Sequence, residues 1–265
     1  MSALSDYLED KLADHAVGTT TYTPGATLTM KLYTVTPTDS GGGTEVSGGS
    51  YAAVSITNNT VNFPACPSSG SPIKTNGAAI AFPAATAAWG TVVAWGLFDG
   101  ANLLTYGPVA PNNYISTGDS PKIEAGKLTI EFLSSANGGL TETVRRKLLD
   151  MVFGGVSYAK PTAVYVSAAT GMSGETLYTW VDSGYSRKVI TFGASSGGVV
   201  TSSNVQTINS SVVDAGSSDV LTHYGIWDDP TSGSLIALGS LETPRTPSQS
   251  DVVRFDAGQI ALTLQ

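Results

Sequence analysis

The chain repeats itself. Leu4–Gly18 is answered by Leu140–Gly154, Trp95-Gly-Leu-Phe-Asp99 by Tyr224-Gly-Ile-Trp-Asp228, and Glu124–Ile130 by Asp256–Leu262. A duplication on this scale restricts the fold more than any other feature of the 265 residues. It predicts two domains of one scaffold, residues 1–135 and 136–265, in place of one large domain. Each copy holds about 130 residues, enough to bury its own core. Ser134–Gly139 reads as a short flexible connection, so the domains are expected to touch.

Each copy is expected to open with one short amphipathic helix. Leu4, Leu8, Leu12 and Ala16 recur at helical spacing, and Leu140, Val144, Leu148 and Val152 repeat the stripe. Ser5 and Thr141 stand where N-caps belong, and Gly18 and Gly154-Gly155 where a helix stops. The remainder reads as β. Leu28–Leu32, Val92–Trp95, Leu103–Tyr106, Val164–Val166, Val189–Phe192 and Val252–Phe255 are short, β-branched or aromatic, and bounded by turn residues. Turns are expected at Thr36–Asp39, Ser40–Gly43, Asn112-Asn113, Ser196–Gly198 and Asp229-Pro230. Gly126 and Gly258, ahead of the closing strands, predict tight turns with positive φ. The fold class is therefore mainly β: two tandem antiparallel β-sandwich or barrel domains, each preceded by a short amphipathic α-helix.

Charge excludes several functions. The net charge is −8 and charged residues are 13% of the chain, against about 25% in ordinary soluble proteins. Nucleic-acid binding needs clustered cations; the one close basic run, Arg145-Arg146-Lys147, reads as a solvated helix face. No apolar run approaches the length of a membrane span. The first residues lack a signal-peptide pattern, so synthesis in a cytoplasm without ordinary secretion is expected. Cys66 is the single cysteine. It has no basic sequence neighbour to activate it and reads as inert.

Candidate chemistry is sparse. His15 reads as a helix-end histidine favoured by the C-terminal dipole, and His223 as strand surface. Neither has zinc-site spacing. Ser195 sits in a literal Gly-x-Ser-x-Gly, but in a Ser/Gly loop without the helix a nucleophile elbow requires. Asp99/Asp228, Asp119/Asp251 and Glu124/Asp256 recur at matching places, which favours turn capping over paired-carboxylate catalysis. Trp89 and Trp180 have no counterpart in the other copy and read as half-specific contact surface. We therefore expect no catalytic, cofactor-binding or metal-binding residue and no cofactor.

Aligned, the copies resemble a phage tail-fibre-like family of small virion proteins. The resemblance rests on Leu4–Glu9, Tyr22-Thr-Pro24, Leu32-Tyr-Thr34, Pro37-Thr-Asp39, Gly43–Val46, Gly96–Asp99 and the closing Ala125-Gly126 strand. The second copy keeps Gly184-Tyr185-Ser-Arg187 and Asp256-Ala-Gly258 but carries Gly171-Met-Ser-Gly174 in place of the Pro-Thr-Asp loop. The first copy has Tyr51-Ala-Ala-Val54, without the arginine. The resemblance implies a non-enzymatic structural protein on the exterior of a tailed phage, assembled in the host cytoplasm. It would be a short tail or neck fibre or a capsid-decorating cement protein. Its partners would be itself, as a homo-oligomer, and capsid, neck or tail proteins, with no nucleic acid and no membrane insertion. Two other classes stand beside it. One is a module recognising a host surface glycan, around Trp89 or Trp180; the other is a depolymerase using Asp99 or Asp228.

Overall fold

The computed structural model describes residues 3–133, 138–182, 185–208 and 219–264. The connection at 134–137, with the 135/136 boundary inside it, and Gly184 lie outside them. The first half runs β1 (Ala3–Leu4), α1 (Asp6–Ala16), β2 (Thr27–Val35), β3 (Thr44–Glu45) and β4 (Val54–Thr57). It continues through β5 (Ile73–Thr75), β6 (Ile80–Ala81), β7 (Gly90–Asp99), β8 (Asn102–Ile115), β9 (Lys122–Ile123) and β10 (Thr129–Glu131). The second half repeats the order: β11 (Gly138–Leu140), α2 (Glu142–Val152), β12 (Val164–Ser173), β13 (Thr176–Thr179) and β14 (Lys188–Ile190). Then come β15 (Val199–Thr201), β16 (Gln206–Thr207), β17 (Leu221–Trp227), β18 (Leu235–Arg245), β19 (Arg254–Phe255) and β20 (Ala261–Thr263).

Topology repeats strand for strand. One six-stranded sheet has the order β1-β8-β7-β2-β3 with β4 also on β2, and the other the order β11-β18-β17-β12-β13 with β14 on β12. The ribbons β5/β10 and β6/β9 are matched by β15/β20 and β16/β19. Every pairing is antiparallel, which short connections permit. The fold is mainly β as the periodicity predicts, with one refinement: a short strand precedes each helix, of two residues before α1 and three before α2.

Each helix is held at its start. Ser5 is the N-cap of α1, accepting from Leu8 N at 3.2 Å, and its hydroxyl donates to Leu103 O. Thr141 holds the same place on α2 but makes no cap hydrogen bond; its hydroxyl donates to Leu235 O at 3.0 Å. The shared function of this position is therefore to tie the helix to the long hairpin. Leu8, Leu12, Ala16, Val144, Leu148 and Val152 are all buried, so both apolar stripes face inward. The buried apolar side chains of the two halves form one contiguous cluster.

Asn112 and Asn113, expected in a turn, instead run within β8. Pro108 and Pro111 did not prevent this. Among the described residues β1 pairs β8 at Thr105 and Tyr106, so both prolines lie beyond that paired stretch, toward the strand's edge where proline is tolerated. Gly126 and Gly258 have φ of 74° and 83°, the left-handed turns predicted.

A large aromatic lies over a cross-strand glycine in each sheet. Trp95 is registered with Gly107 and Tyr224 with Gly239. A Cβ on Gly107 would meet the Trp95 ring at 2.7 Å, and one on Gly239 the Tyr224 hydroxyl at 2.5 Å. Tyr224 Oη also donates to Ala261 O at 2.9 Å, which ties the sheet to β20. Gly239→Ala is thus expected to destabilise the chain by roughly 1–3 kcal/mol through overpacking. Urea denaturation measures this, and an unchanged midpoint would contradict the contact.

Candidate functional site

The most elaborate arrangement of polar side chains lies between the halves, where each helix docks on the other half. Asp14 Oδ1 of α1 accepts the backbone N–H of Ser195 at 2.8 Å. Asp10 Oδ1 accepts the Ser195 hydroxyl at 2.8 Å and Gly198 N at 2.9 Å. Reciprocally, Asp150 Oδ1 of α2 accepts Cys66 N at 2.8 Å and pairs with Lys74 Nζ at 2.6 Å. Asp14 and Asp150 are equivalent in the repeat. The pair is a pseudo-two-fold contact, self-complementary in the way of an isologous dimer interface.

The helix ends extend this exchange. Asn58 of the first half donates to Val152 O at 2.9 Å and accepts Gly154 N at 2.7 Å. Lys160 of the second donates to Gly18 O at 2.6 Å. Gly18 has φ of 81°, and a Cβ there would stand 2.8 Å from Pro161 O. The helix stop therefore serves close approach of the other half as well as termination. Phe63 and Phe153 pack at 6.1 Å across the same boundary.

His15 is the main correction at this interface. It is 1% exposed, accepts Tyr22 N on Nδ1 at 3.1 Å, and so carries its proton on Nε2, facing Tyr158 O at 3.0 Å. Burial lowers its pKa; the Tyr158 carbonyl opposes that and Lys160 adds to it. It is a neutral bridge between halves and not a charged partner of the helix dipole. Arg145 overturns the solvated-face reading of its basic run. It is buried, donates to Phe132 O at 2.7 Å and Leu140 O at 3.1 Å, and faces Glu175. Arg146 is paired with Glu142 on its own helix. Sequence spacing could not reveal the role of Arg145, because Phe132 and Glu175 come from elsewhere in the chain.

Cys66 does have a basic neighbour, Lys74, contrary to its sequence context. Burial and then Asp150 outweigh it and push the thiol up to about 12, so the inert reading stands. Ser195 is engaged by Asp10 and Asp14 as a docking contact. Its hydroxyl also lies 3.3 Å from Val199 O. His223 is half-buried on β17, with Nδ1 2.7 Å from Thr222 Oγ1.

Three of the recurring acids act on turns in their own loop, whereas Asp99 ties the end of β7 to the distant segment ahead of β2. Asp99 accepts Gly25 N at 2.9 Å, Asp119 accepts Ser116 N at 2.7 Å, Asp251 accepts Ser248 N at 2.8 Å and Asp228 accepts Ser234 N at 2.6 Å. The N–H groups of Ser232 and Thr231 hold Asp229 down to about 2. Glu124 and Asp256 pair with Lys122 and Arg254 at 2.7 and 3.1 Å. Among the described residues no group of three or more His, Cys, Asp or Glu side chains is placed to hold a metal ion.

Trp89 and Trp180 are 6% and 1% exposed, so neither forms a contact surface. Trp89 meets Tyr51 edge-on at 5.2 Å, and Trp180 meets Tyr185 edge-on at 5.8 Å. Tyr51 and Tyr185 are equivalent; the two tryptophans reach them from different scaffold positions. Cations show the same substitution. Arg187 lies 3.6 Å over Trp227, while Lys31 lies 4.7 Å over the equivalent Phe98 from another strand.

Glu9 also faces the docked loop of the other half, beside Gly198. Burial, then Asp39, Asp6 and Asp10, raises its carboxyl from 4.5 to about 7. The folded chain therefore binds this proton more tightly than the unfolded chain. The resulting stabilisation is full below pH 4.5 and is lost as pH rises through 7. Discounted for a half-exposed group, Glu9→Gln is expected to gain about 1 kcal/mol at pH 8 and almost nothing at pH 4.5. Melting curves at both pH values test this; an equal gain at both would refute it.

No helix among the described residues is long and apolar enough to cross a membrane. A family model described as podophage GP4 fiber I protein gp80 matches residues 3–131 and again residues 139–263, one match to each half. No curated protein matches the chain.

Proposed function

Because the chain belongs to the podophage GP4 fiber I protein gp80 family twice over, as a tandem duplication, we propose that it is a non-enzymatic assembly module on the virion exterior. Membership makes it a fibre-family virion component; the finer reading is a short tail or neck fibre or a capsid-decorating cement protein. It would act through contacts with its own copies and with capsid, neck or tail proteins. The observation carrying this reading is how the duplicated polar residues are used. Asp14 and Asp150 join the halves, Asp119, Asp228 and Asp251 hold turns, and Asp99 ties the end of β7 to Gly25. Duplicated acids used this way serve a building block. Residues 1–135 and 136–265 are proposed as its two genetic units.

The decisive test is imaging of purified virions, with and without the gene, by electron cryomicroscopy. Density at head, neck or tail that disappears on deletion is expected. Absence of the chain from purified virions would remove the proposal.

A further inference from the structure

The repeat places the same crevice in both halves, between the end of the long hairpin and a two-stranded ribbon. In the first half Val92, Val109, Asn113, Lys122 and Ile123 line a space of roughly 130 Å³. At the equivalent positions the second half has Leu221, Leu241, Arg245, Arg254 and Phe255, and the space is roughly 450 Å³. That volume lies within the roughly 300–1,000 Å³ of small-molecule sites. Divergence has therefore enlarged one copy of a shared hollow and placed two arginines where the other copy has an asparagine and a lysine.

The placement is selective. All five arginines of the chain fall in the second half. Arg145, Arg146 and Arg187 are engaged by carbonyls, Glu142 and Trp227. The remaining two, Arg245 and Arg254, are both exposed and share this hollow. Each is steadied through one nitrogen: Arg245 Nη2 donates to Val252 O at 3.1 Å, and Arg254 Nε lies 3.1 Å from Asp256 Oδ1. A guanidinium has five N–H donors, so both forks keep donors for a ligand. Gln259 Oε1 accepts Asp256 N at 2.7 Å, which leaves its amide N–H groups as further donors. Glu242 also lines the space, as an acceptor.

The titratable groups here are two cations and two anions, Arg245, Arg254, Glu242 and Asp256. A bare anion is best held by donors alone. Interleaved donors and acceptors suit a ligand with one carboxylate and several hydroxyls. We propose that this groove binds a carboxylate-bearing saccharide of the uronic acid class. The arginine forks take its carboxylate, and Glu242, Asp256 and Gln259 take its hydroxyls. The proposal goes beyond the assembly role and stands or falls apart from it, because its test needs no virion.

Titration of the intact chain with glucuronic acid and with a galacturonate trisaccharide, followed by ligand-observed NMR and calorimetry, is the experiment. Saturable binding of the uronates is expected, with glucose and inorganic phosphate at equal concentration unable to displace them. Arg245→Gln and Arg254→Gln should each weaken binding by at least about tenfold, the loss typical of a hydrogen bond to a charged group. Arg254→Lys, which keeps the charge and loses the fork, should weaken it as well. Lys122→Gln, in the first-half crevice, should leave it unchanged. Near-ultraviolet circular dichroism checks that each variant is folded. No saturable binding, equal competition by glucose or phosphate, or indifference to all three arginine variants would overturn the proposal.

Discussion

Replacing Asp150 with alanine is expected to lower the stability of the chain by about 3–5 kcal/mol, the range for breaking one side of a buried ion pair. Its partner Lys74 is fully buried, with 0% of its side chain exposed, and sits on β5 of the other half. Removing the carboxylate strands that ammonium and also leaves Cys66 N without its acceptor. The equivalent change on α1, Asp14→Ala, removes a backbone hydrogen bond from Ser195 and strands no charge, so about 1 kcal/mol is expected. Denaturant curves of the two variants compare the halves directly. Lys74→Met added to Asp150→Ala should recover part of the loss, since the buried cation is then gone. Equal losses for Asp14→Ala and Asp150→Ala would show that the ion pair contributes nothing beyond the shared backbone contact.

That asymmetry marks the limit of what sequence can disclose here. The stripes Leu8-Leu12-Ala16 and Val144-Leu148-Val152, the left-handed Gly126 and Gly258 and the turn-holding Asp119, Asp228 and Asp251 were legible, because each depends on local spacing. Strand order was not legible in local spacing, and β8 was misread at Asn112-Asn113 because paired asparagines carry turn chemistry. What spacing could not disclose was the exchange of helices. His15, Arg145, Ser195 and Asp150 each find their partner far away in the chain, and in most cases in the other half. Alignment of the copies was also misleading in one respect. Trp89 and Trp180 lack counterparts in sequence, yet each packs on an equivalent tyrosine. A scaffold can keep a packing requirement while changing the position that meets it, and only coordinates reveal that the two residues answer one need.

The reciprocal docking makes a stronger demand on the molecule as a whole. If α1 rests on the second half and α2 on the first, neither half retains all its contacts alone, and the chain should unfold as one unit. Two tryptophans lie in each half, Trp89 and Trp95 in the first and Trp180 and Trp227 in the second. Fluorotryptophan NMR therefore follows both halves in one sample, and coincident loss of all four native signals on heating is expected. A protease site placed within 134–137 extends the test. Once cut, the pieces should still co-elute as a one-to-one complex, held by the contacts of Asp10, Asp14, Asn58, His15 and Asp150. Cutting turns an intramolecular association into a bimolecular one, so the melting temperature should now fall on dilution while that of the intact chain does not. Pieces that separate and each keep their native signals would show two independent beads. The exchanged helices would then be contacts of convenience and not the structural basis of the duplication.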